Sequence, residues 1–172
     1  AREAKIGQPE TKLGLIPGWG GCARLSRLAG LPTAVEMITS GNPLAAEAAV
    51  ACGLADEAVA CDRLLDAALK MIEREQSTKA YVHDRERRAG AVKFPDVERD
   101  FLRMTTTAKL QPTAEHEPAA MMGLNLLFDT AGVDLQTALA RETTAFAQLF
   151  GSRANRALVH VFLLQDHNKH DG

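Results

Sequence analysis

Apolar positions in the first third of the chain follow the helical period. They recur at helical spacing over residues 22–29, and Gly30 followed by Pro32 is the usual order of helix stop signals. Before this helix, the short apolar run Leu13–Ile16 lies between glycine and proline, which is typical of the end of a buried strand or of a connector. The pattern therefore predicts helices punctuated by glycine and proline.

Capping signals predict three further helices in the first half. Thr33 is placed as the N-cap of a helix over 33–40, with Glu36 completing a capping box. A short helix over 45–51 follows. Asp62 then has the position of an N-cap for a helix that carries apolar residues on one side.

The second half divides into a charged stretch and a helical block. Charge is dense and apolar spacing is weak at the start of residues 75–118, so this stretch is predicted to be a connecting segment with one helix near 97–109. Residues 119–172, which we call the helical block, are predicted to pack on something else. Its helices are predicted over 119–131, 135–150 and 153–164.

Composition and charge exclude some classes of protein. The 172 residues are 46% hydrophobic, and 20 basic against 22 acidic side chains give a formal net charge of −2. A nucleic-acid-binding protein usually has a basic excess, so nucleic acid is not an expected partner. Arg85, Arg87 and Arg88 alternate with acidic residues, which favours a solvated helix face. No apolar run is long enough for a membrane span, and the two ends of the sequence suggest a cut protein.

Cysteine and histidine give no strong site. Cys22, Cys52 and Cys61 have no metal-ligand spacing, which favours reduced thiols, although Cys22 near a helix start leaves open a reactive thiol. At the C-terminus, His167 and His170 with Asp166 and Asp171 could ligate a metal at helical spacing, but a solvated terminus is the preferred interpretation. We therefore predict no metal site.

One cluster of residues, Gly7–Gly21, could carry chemistry. It places the Glu10 carboxylate after a proline, and then Pro17–Gly21, which we call the glycine turn, leads into the first helix. The first N–H groups of such a helix have no partners within it. If they and Glu10 face one pocket, they could hold and deprotonate a water molecule.

Two other interpretations of this cluster remain open. A glutamate after proline is commonly an exposed turn residue. The glycine turn is also similar to a phosphate loop, but it lacks the Lys-Ser/Thr pair of that loop and the glycine spacing of a dinucleotide site.

The cluster and the sequence after it resemble the enoyl-CoA hydratase/isomerase (crotonase) family. The resemblance runs through Arg24-Leu25, Arg27-Leu28, Ala34–Ile38, Ser40-Gly41, Ala46–Ala48 and Gly53–Val59. It implies that Glu10 is the later of two catalytic glutamates and that the Gly18 amide helps to hold the catalytic water. Pro17 and Trp19 are expected at the substrate, although Trp19 could instead close the core.

The helical block is similar to another part of the multifunctional fatty-acid oxidation alpha subunits. Leu124–Phe128, Glu142 and Asn155–Leu163 resemble the helical region between their hydratase and dehydrogenase domains. The resemblance implies a substrate-linked acidic residue, for which Asp166 is the nearest match, displaced by about one residue; a surface aspartate at a helix end is the preferred alternative. It also implies a following NAD-dependent dehydrogenase domain, which is absent from these residues.

Together these observations predict an α/β protein: the C-terminal half of a crotonase-type spiral fold, mostly helical in this fragment, followed by a helical linker block. The expected divisions are residues 1–74 for the hydratase/isomerase part, 75–118 for the charged connection and 119–172 for the linker. The earlier glutamate and the oxyanion-hole amides are not among these residues, so we expect the isolated chain to be inactive. A non-catalytic scaffolding module that docks a neighbouring domain or subunit is the alternative.

The resemblance also sets the expected ligands and partners. The substrate is an acyl-CoA thioester, and no cofactor is expected in this segment. The missing N-terminal half and the downstream dehydrogenase domain are the first partners, with a thiolase subunit or further copies of the chain beyond them. The compartment is the bacterial cytoplasm, or the mitochondrion in a eukaryote.

Overall fold

A long, bent helix organises the first half of the chain. The computed structural model describes residues 1–170. Helix α1, Gly21–Ser40, contains both of the first two predicted helices, which meet at Gly30 with non-helical φ 80° and ψ 164°. The interruption predicted at this glycine is confirmed. The capping box at Thr33 is wrong, because the chain is helical again from Leu31, with Pro32 in the first turn where proline is tolerated.

Two short strands and a 3₁₀ helix precede and flank α1. Strand β1, Lys5–Ile6, pairs antiparallel with β2, Leu44–Ala45. Between β1 and α1 lies a 3₁₀ helix, Pro9–Leu13, which we call the Glu10 helix. Of the predicted apolar run, Leu13 ends the Glu10 helix and residues 14–16 form a connector with a buried Ile16, and not a strand end.

The middle of the chain contains four helices, of which the last three have no buried residue. Helix α2 is Ala46–Ala51, α3 is Leu64–Thr78, α4 is Ala80–Ala89 and α5 is Asp96–Leu110. Asp62 lies inside a 3₁₀ turn, Cys61–Arg63, so its predicted N-cap role for α3 is wrong.

The basic cluster lies on α4, as a solvated helix face. There Asp84 accepts a charged hydrogen bond from Arg87 at 2.8 Å and lies 3.5 Å from Arg88, at the (i, i+3) and (i, i+4) spacings of neighbours on a helix surface. Exposed ion pairs of this kind contribute little to stability. This interpretation is confirmed.

The helical block packs on α1. Its helices are α6, Pro118–Ala131, α7, Leu135–Leu149, and α8, Arg153–His170, close to the predicted ranges. The most extensive contact between elements joins α1 to α6. At Gly123 there is no room for a side chain, because a Cβ would lie 2.8 Å from Ile38 Cγ2. The largest buried side chains come from both parts of the chain: Ile16, Leu31, Met37, Ile38, Leu124 and Leu127.

A single core therefore spans residues that the sequence divides into separate segments. The predicted architecture, mostly helical with little sheet, is confirmed. Within residues 1–170, no helix combines the length and apolar character that a membrane crossing needs.

Candidate active site

Glu10 is held on a short, rigid element. Pro9 begins the Glu10 helix and Gly14, in the left-handed conformation at φ 73°, ends it. The Glu10 carbonyl accepts a hydrogen bond from the Leu15 amide at 3.0 Å. The side chain of Glu10 is half-buried, so part of it is accessible to solvent.

The Glu10 carboxylate lies beside the beginning of α1. With its amide nitrogen turned toward Glu10, Gln8 donates at 3.2 Å to each oxygen of that carboxylate. The other face of the Gln8 amide lies against Gly21, within 3.7 Å of where a Cβ would stand. Glu10 is also close enough to Cys22 to help raise the pKa of its thiol. Glu10, Gln8 and the first turn of α1 are thus neighbours.

The glycine turn has a backbone that needs glycine at one position in particular. Trp19 and Gly20 both have positive φ, at 50° and 87°. A Cβ on Gly20 would lie 2.8 Å from Leu139 Cδ2 and 3.0 Å from the Arg24 guanidinium carbon. Because both conformation and space exclude a side chain, glycine at position 20 lets α7 approach the turn.

A buried carboxylate occupies the N-terminus of α1. Glu142 of α7 is 2% exposed and accepts hydrogen bonds from the amides of Gly20 at 2.5 Å and Ala23 at 2.9 Å. Burial raises the pKa of Glu142, and these amides together with the charge of Arg24 oppose the rise. The expectation that these amides face a ligand pocket is therefore wrong, because a carboxylate from the helical block already satisfies them.

The Gly18 amide is in a different situation. The Gly21 amide donates to the Gly18 carbonyl at 2.9 Å, but the Gly18 N–H itself has no acceptor among residues 1–170. A Cβ on Gly18 would lie 3.4 Å from the ring of Phe146 on α7. Among the turn amides, the one that the resemblance assigns to water is thus left with its donor unused by the protein.

A second polar residue of the helical block holds the Glu10 helix. Asn155, 6% exposed, donates from Nδ2 to the Leu13 carbonyl at 2.7 Å and accepts from the Gly151 amide at 3.0 Å. Its backbone is so close to Gly14 that a Cβ there would lie 2.9 Å from Asn155 Cα. The beginning of α8 is thereby fixed against the element that carries Glu10.

The other three predicted substrate residues differ in their surroundings. The side chain of Pro17 is buried beneath Gly21, whereas Trp19 is fully exposed and does not close the core. Asp166 lies on the exposed part of α8, about 16 Å along the helix from Asn155 at 1.5 Å per residue. Substrate contact by these three residues stays a prediction.

The cysteine and metal alternatives find no support in the geometry. Burial, followed by the Glu142 and Glu10 carboxylates, raises the pKa of Cys22, so this thiol is not a ready nucleophile. No group of three or more potential metal ligands occurs in the part of the chain that the structure describes. The side chain of His170 and all of Asp171, which the metal alternative needs, lie outside the described residues.

Glu142 and Asn155 were not identified as site residues from the sequence. A signal for Glu142 was present, since it shares a helix face with the buried Ala138 and Leu149. An acidic residue on an apolar face must find a partner when buried. The identity of that partner, 122 residues earlier in the chain, has no local signature.

One family model matches the part of the chain that carries Glu10 and the glycine turn. The family model for enoyl-CoA hydratase/isomerase matches residues 1–90 of the 172. The match contains the Glu10 helix, the glycine turn, α1 and the exposed helices as far as α4. The helical architecture is consistent with the C-terminal helical part of a crotonase-type fold. The chain belongs to the enoyl-CoA hydratase/isomerase family.

Proposed function

We propose that this chain contributes the Glu10 half of an active site that adds water across the 2,3 double bond of an enoyl-CoA thioester. The observation that carries the proposal is the position of the Glu10 carboxylate beside the beginning of α1, linked to Gly21 through the Gln8 amide. Glu142 accepts from the Gly20 and Ala23 amides and the Gly18 carbonyl from the Gly21 amide, whereas the Gly18 N–H has no protein acceptor in residues 1–170.

Each group has a defined task in this proposal. The Gly18 N–H donates to the oxygen of a water molecule, and Glu10 acts on the protons of that water as general base and acid. In the net reaction the water oxygen bonds to C3 and a proton is added to C2. A well-placed general acid/base contributes roughly 10²–10⁴-fold to such a step.

The same carboxylate also suits double-bond migration. An isomerase removes a proton from one carbon of the acyl chain and returns one to another, and a single carboxylate can do both. We therefore propose hydration as the main activity, with isomerisation as a second activity of the same site.

We propose that the other catalytic groups are supplied by a segment that precedes Ala1. No glutamate in a glycine-rich segment precedes Glu10 in these residues. Oxyanion donors are worth about 2.7–4 kcal/mol each in the transition state, so the chain by itself should turn over very little. The broader setting that we propose is fatty-acid β-oxidation in a multifunctional enzyme, with an NAD-dependent dehydrogenase domain following the helical block and a thiolase as partner subunit.

The test joins the chain in frame to an upstream hydratase segment that carries the missing glutamate. Crotonyl-CoA hydration should appear on joining, and E10Q should reduce kcat by roughly 10²–10⁴-fold, because the amide neither accepts nor returns a proton. The matched control is E36Q, at an exposed position on α1 that leaves the site untouched. Full activity in E10Q would contradict the proposal.

An interaction module is the second candidate. Its support is the exposed apolar run Val161–Leu164 on α8, where each side chain is about half exposed. Large exposed apolar surfaces mark docking sites. If this were the only function, E10Q and the unsubstituted assembly would behave identically in every assay of turnover.

A further inference from the structure

Two buried polar side chains connect the helical block to the two backbone segments that form the proposed site. Glu142 lies on α7 and Asn155 near the beginning of α8. Both are nearly inaccessible, at 2% and 6% exposed, and both bond to backbone atoms more than 100 residues earlier in the chain. A buried polar group without partners is costly, so both side chains are tied to their present partners.

Glu142 sets the shape of the glycine turn from its C-terminal side. One carboxylate oxygen accepts from the Gly20 amide and the other from the Ala23 amide. Hydrogen bonds to an ionised acceptor are short and strong, and two of them fix orientation as well as distance. Phe146, one helical turn after Glu142, lies against Gly18 from the same helix. The orientation of the Gly18 N–H therefore depends on where α7 is docked.

Asn155 fixes the position of the Glu10 helix. Its bond to the Leu13 carbonyl at 2.7 Å and the close approach of its backbone to Gly14 fix the end of that short helix. Its bond from the Gly151 amide anchors it at the junction of α7 and α8. The two contacts thus start from adjoining parts of one block, and they reach the Gly18 side and the Glu10 side of the site.

We infer that Glu142 and Asn155 are positioning residues for hydration, which fix the Gly18 amide and the Glu10 carboxylate relative to each other. This inference rests on the proposed function and extends it: the helical block is part of the active-site scaffold as well as a connection to another domain. Reacting groups must be placed within a fraction of an ångström, and a misplacement of about 1 Å costs on the order of 10²-fold in rate.

The test uses E142Q and N155D in the full chain joined to the upstream segment. The amide of E142Q places NH₂ against one backbone N–H, and N155D loses the donor to Leu13 while it keeps an acceptor for Gly151. Each variant should lower kcat per folded molecule by about 10–100-fold and leave KM for crotonyl-CoA within about 2-fold. Amide hydrogen exchange at Gly20 and Ala23 should accelerate in E142Q alone.

Matched controls separate positioning from general destabilisation. E36Q on α1 and N168D on α8 make the same chemical changes at exposed positions, and their kcat should equal that of the unsubstituted assembly. A residue that only stabilises the fold would reduce the folded fraction and leave kcat per folded molecule unchanged. If E142Q does not fold, N155D carries the same kinetic test.

The outcomes distinguish this inference from the function on which it rests. If the unsubstituted assembly does not hydrate crotonyl-CoA, the proposed function fails and the inference falls with it. If the assembly is active and both variants match their controls in kcat, the function stands and the inference is overturned. Unchanged exchange at Gly20 and Ala23 in E142Q would also overturn it.

Discussion

Glu142 illustrates how one side chain can both cost and contribute stability. Its burial disfavours the charged form and raises its pKa, although the Ala23 and Gly20 amides favour that charge. Because the pKa in the folded state lies above the unfolded value, folding is accompanied by proton uptake at this group. The associated stability is fully present below the unfolded pKa and is lost as the pH rises through the folded pKa.

The direction of the Glu142 pKa shift predicts how the stability of the chain changes with pH. Between about pH 4 and pH 7 the unsubstituted chain should lose free energy of unfolding relative to E142Q, whose side chain does not titrate in this range. Urea unfolding of both proteins across this interval measures the difference, and the other carboxylates cancel because both proteins contain them. If the difference in unfolding free energy between the two proteins is constant with pH, Glu142 has the same pKa in the folded and unfolded states, which would contradict the prediction.

The left-handed glycine at the end of the Glu10 helix gives a second prediction at the residue scale. G14A should destabilise the chain by about 1–3 kcal/mol, because a Cβ there is strained at φ 73° and would meet Asn155 Cα at 2.9 Å. G132A is the control, since its φ is −85° and a Cβ there meets nothing within 4 Å. Thermal unfolding should show a clear loss for G14A only, and equal midpoints would refute the close contact.

At the scale of elements, the packing of α6 on α1 forms most of the core. Leu124 is completely buried in this contact, whereas Leu69 on α3 is 52% exposed. L124A should therefore cost about 2–5 kcal/mol of unfolding free energy, and L69A should stay within about 0.5 kcal/mol. Denaturant unfolding of the two variants checks the contrast, and similar losses would place the core elsewhere.

Local signals predicted the elements well where glycine and proline act directly on the backbone. The break at Gly30 and the helices of the helical block followed from periodicity and stop signals. The Asp62 cap failed, because a cap depends on where the first helical turn begins, and a 3₁₀ turn over Cys61–Arg63 displaced it. Capping preferences are worth only about 1 kcal/mol, so neighbouring structure can override them.

The candidate site was predictable only in part, for a related reason. Glu10 and the glycine turn lie within one short stretch, so the sequence itself brings them close. The partner of Glu142 comes from packing between α7 and α1, and no pattern within either helix specifies it. The predicted roles of Pro17, Trp19 and Asp166 remain untested predictions, and so do the three expected divisions of the chain.

At the scale of the whole molecule, the first part of the chain and the helical block share one core. Leu31 and Ile38 of α1 are fully buried together with Leu124 and Leu127 of α6. Helix α6 covers the apolar face of α1. Glu142 accepts hydrogen bonds from backbone amides at the N-terminus of α1. The helical block therefore completes the fold of the segment that carries Glu10.

Removal of the block tests this interdependence. A chain that ends after residue 116 should lose cooperative unfolding and bind hydrophobic dyes, because α1 would expose its apolar face and leave buried amides without partners. Circular dichroism during heating, with the full chain as control, is the measurement. A sharp unfolding transition in the shortened protein would mean that residues 1–116 form a domain of their own.

The central claim is that Glu10 and the Gly18 amide act on the same water molecule. The most direct measurement is a crystal structure of the chain joined to its upstream segment, with an unreactive enoyl-CoA analogue bound. We expect an ordered water within about 3.2 Å of both the Glu10 carboxylate and the Gly18 nitrogen. A Glu10 side chain turned away from the glycine turn, with the water held by other groups, would contradict it.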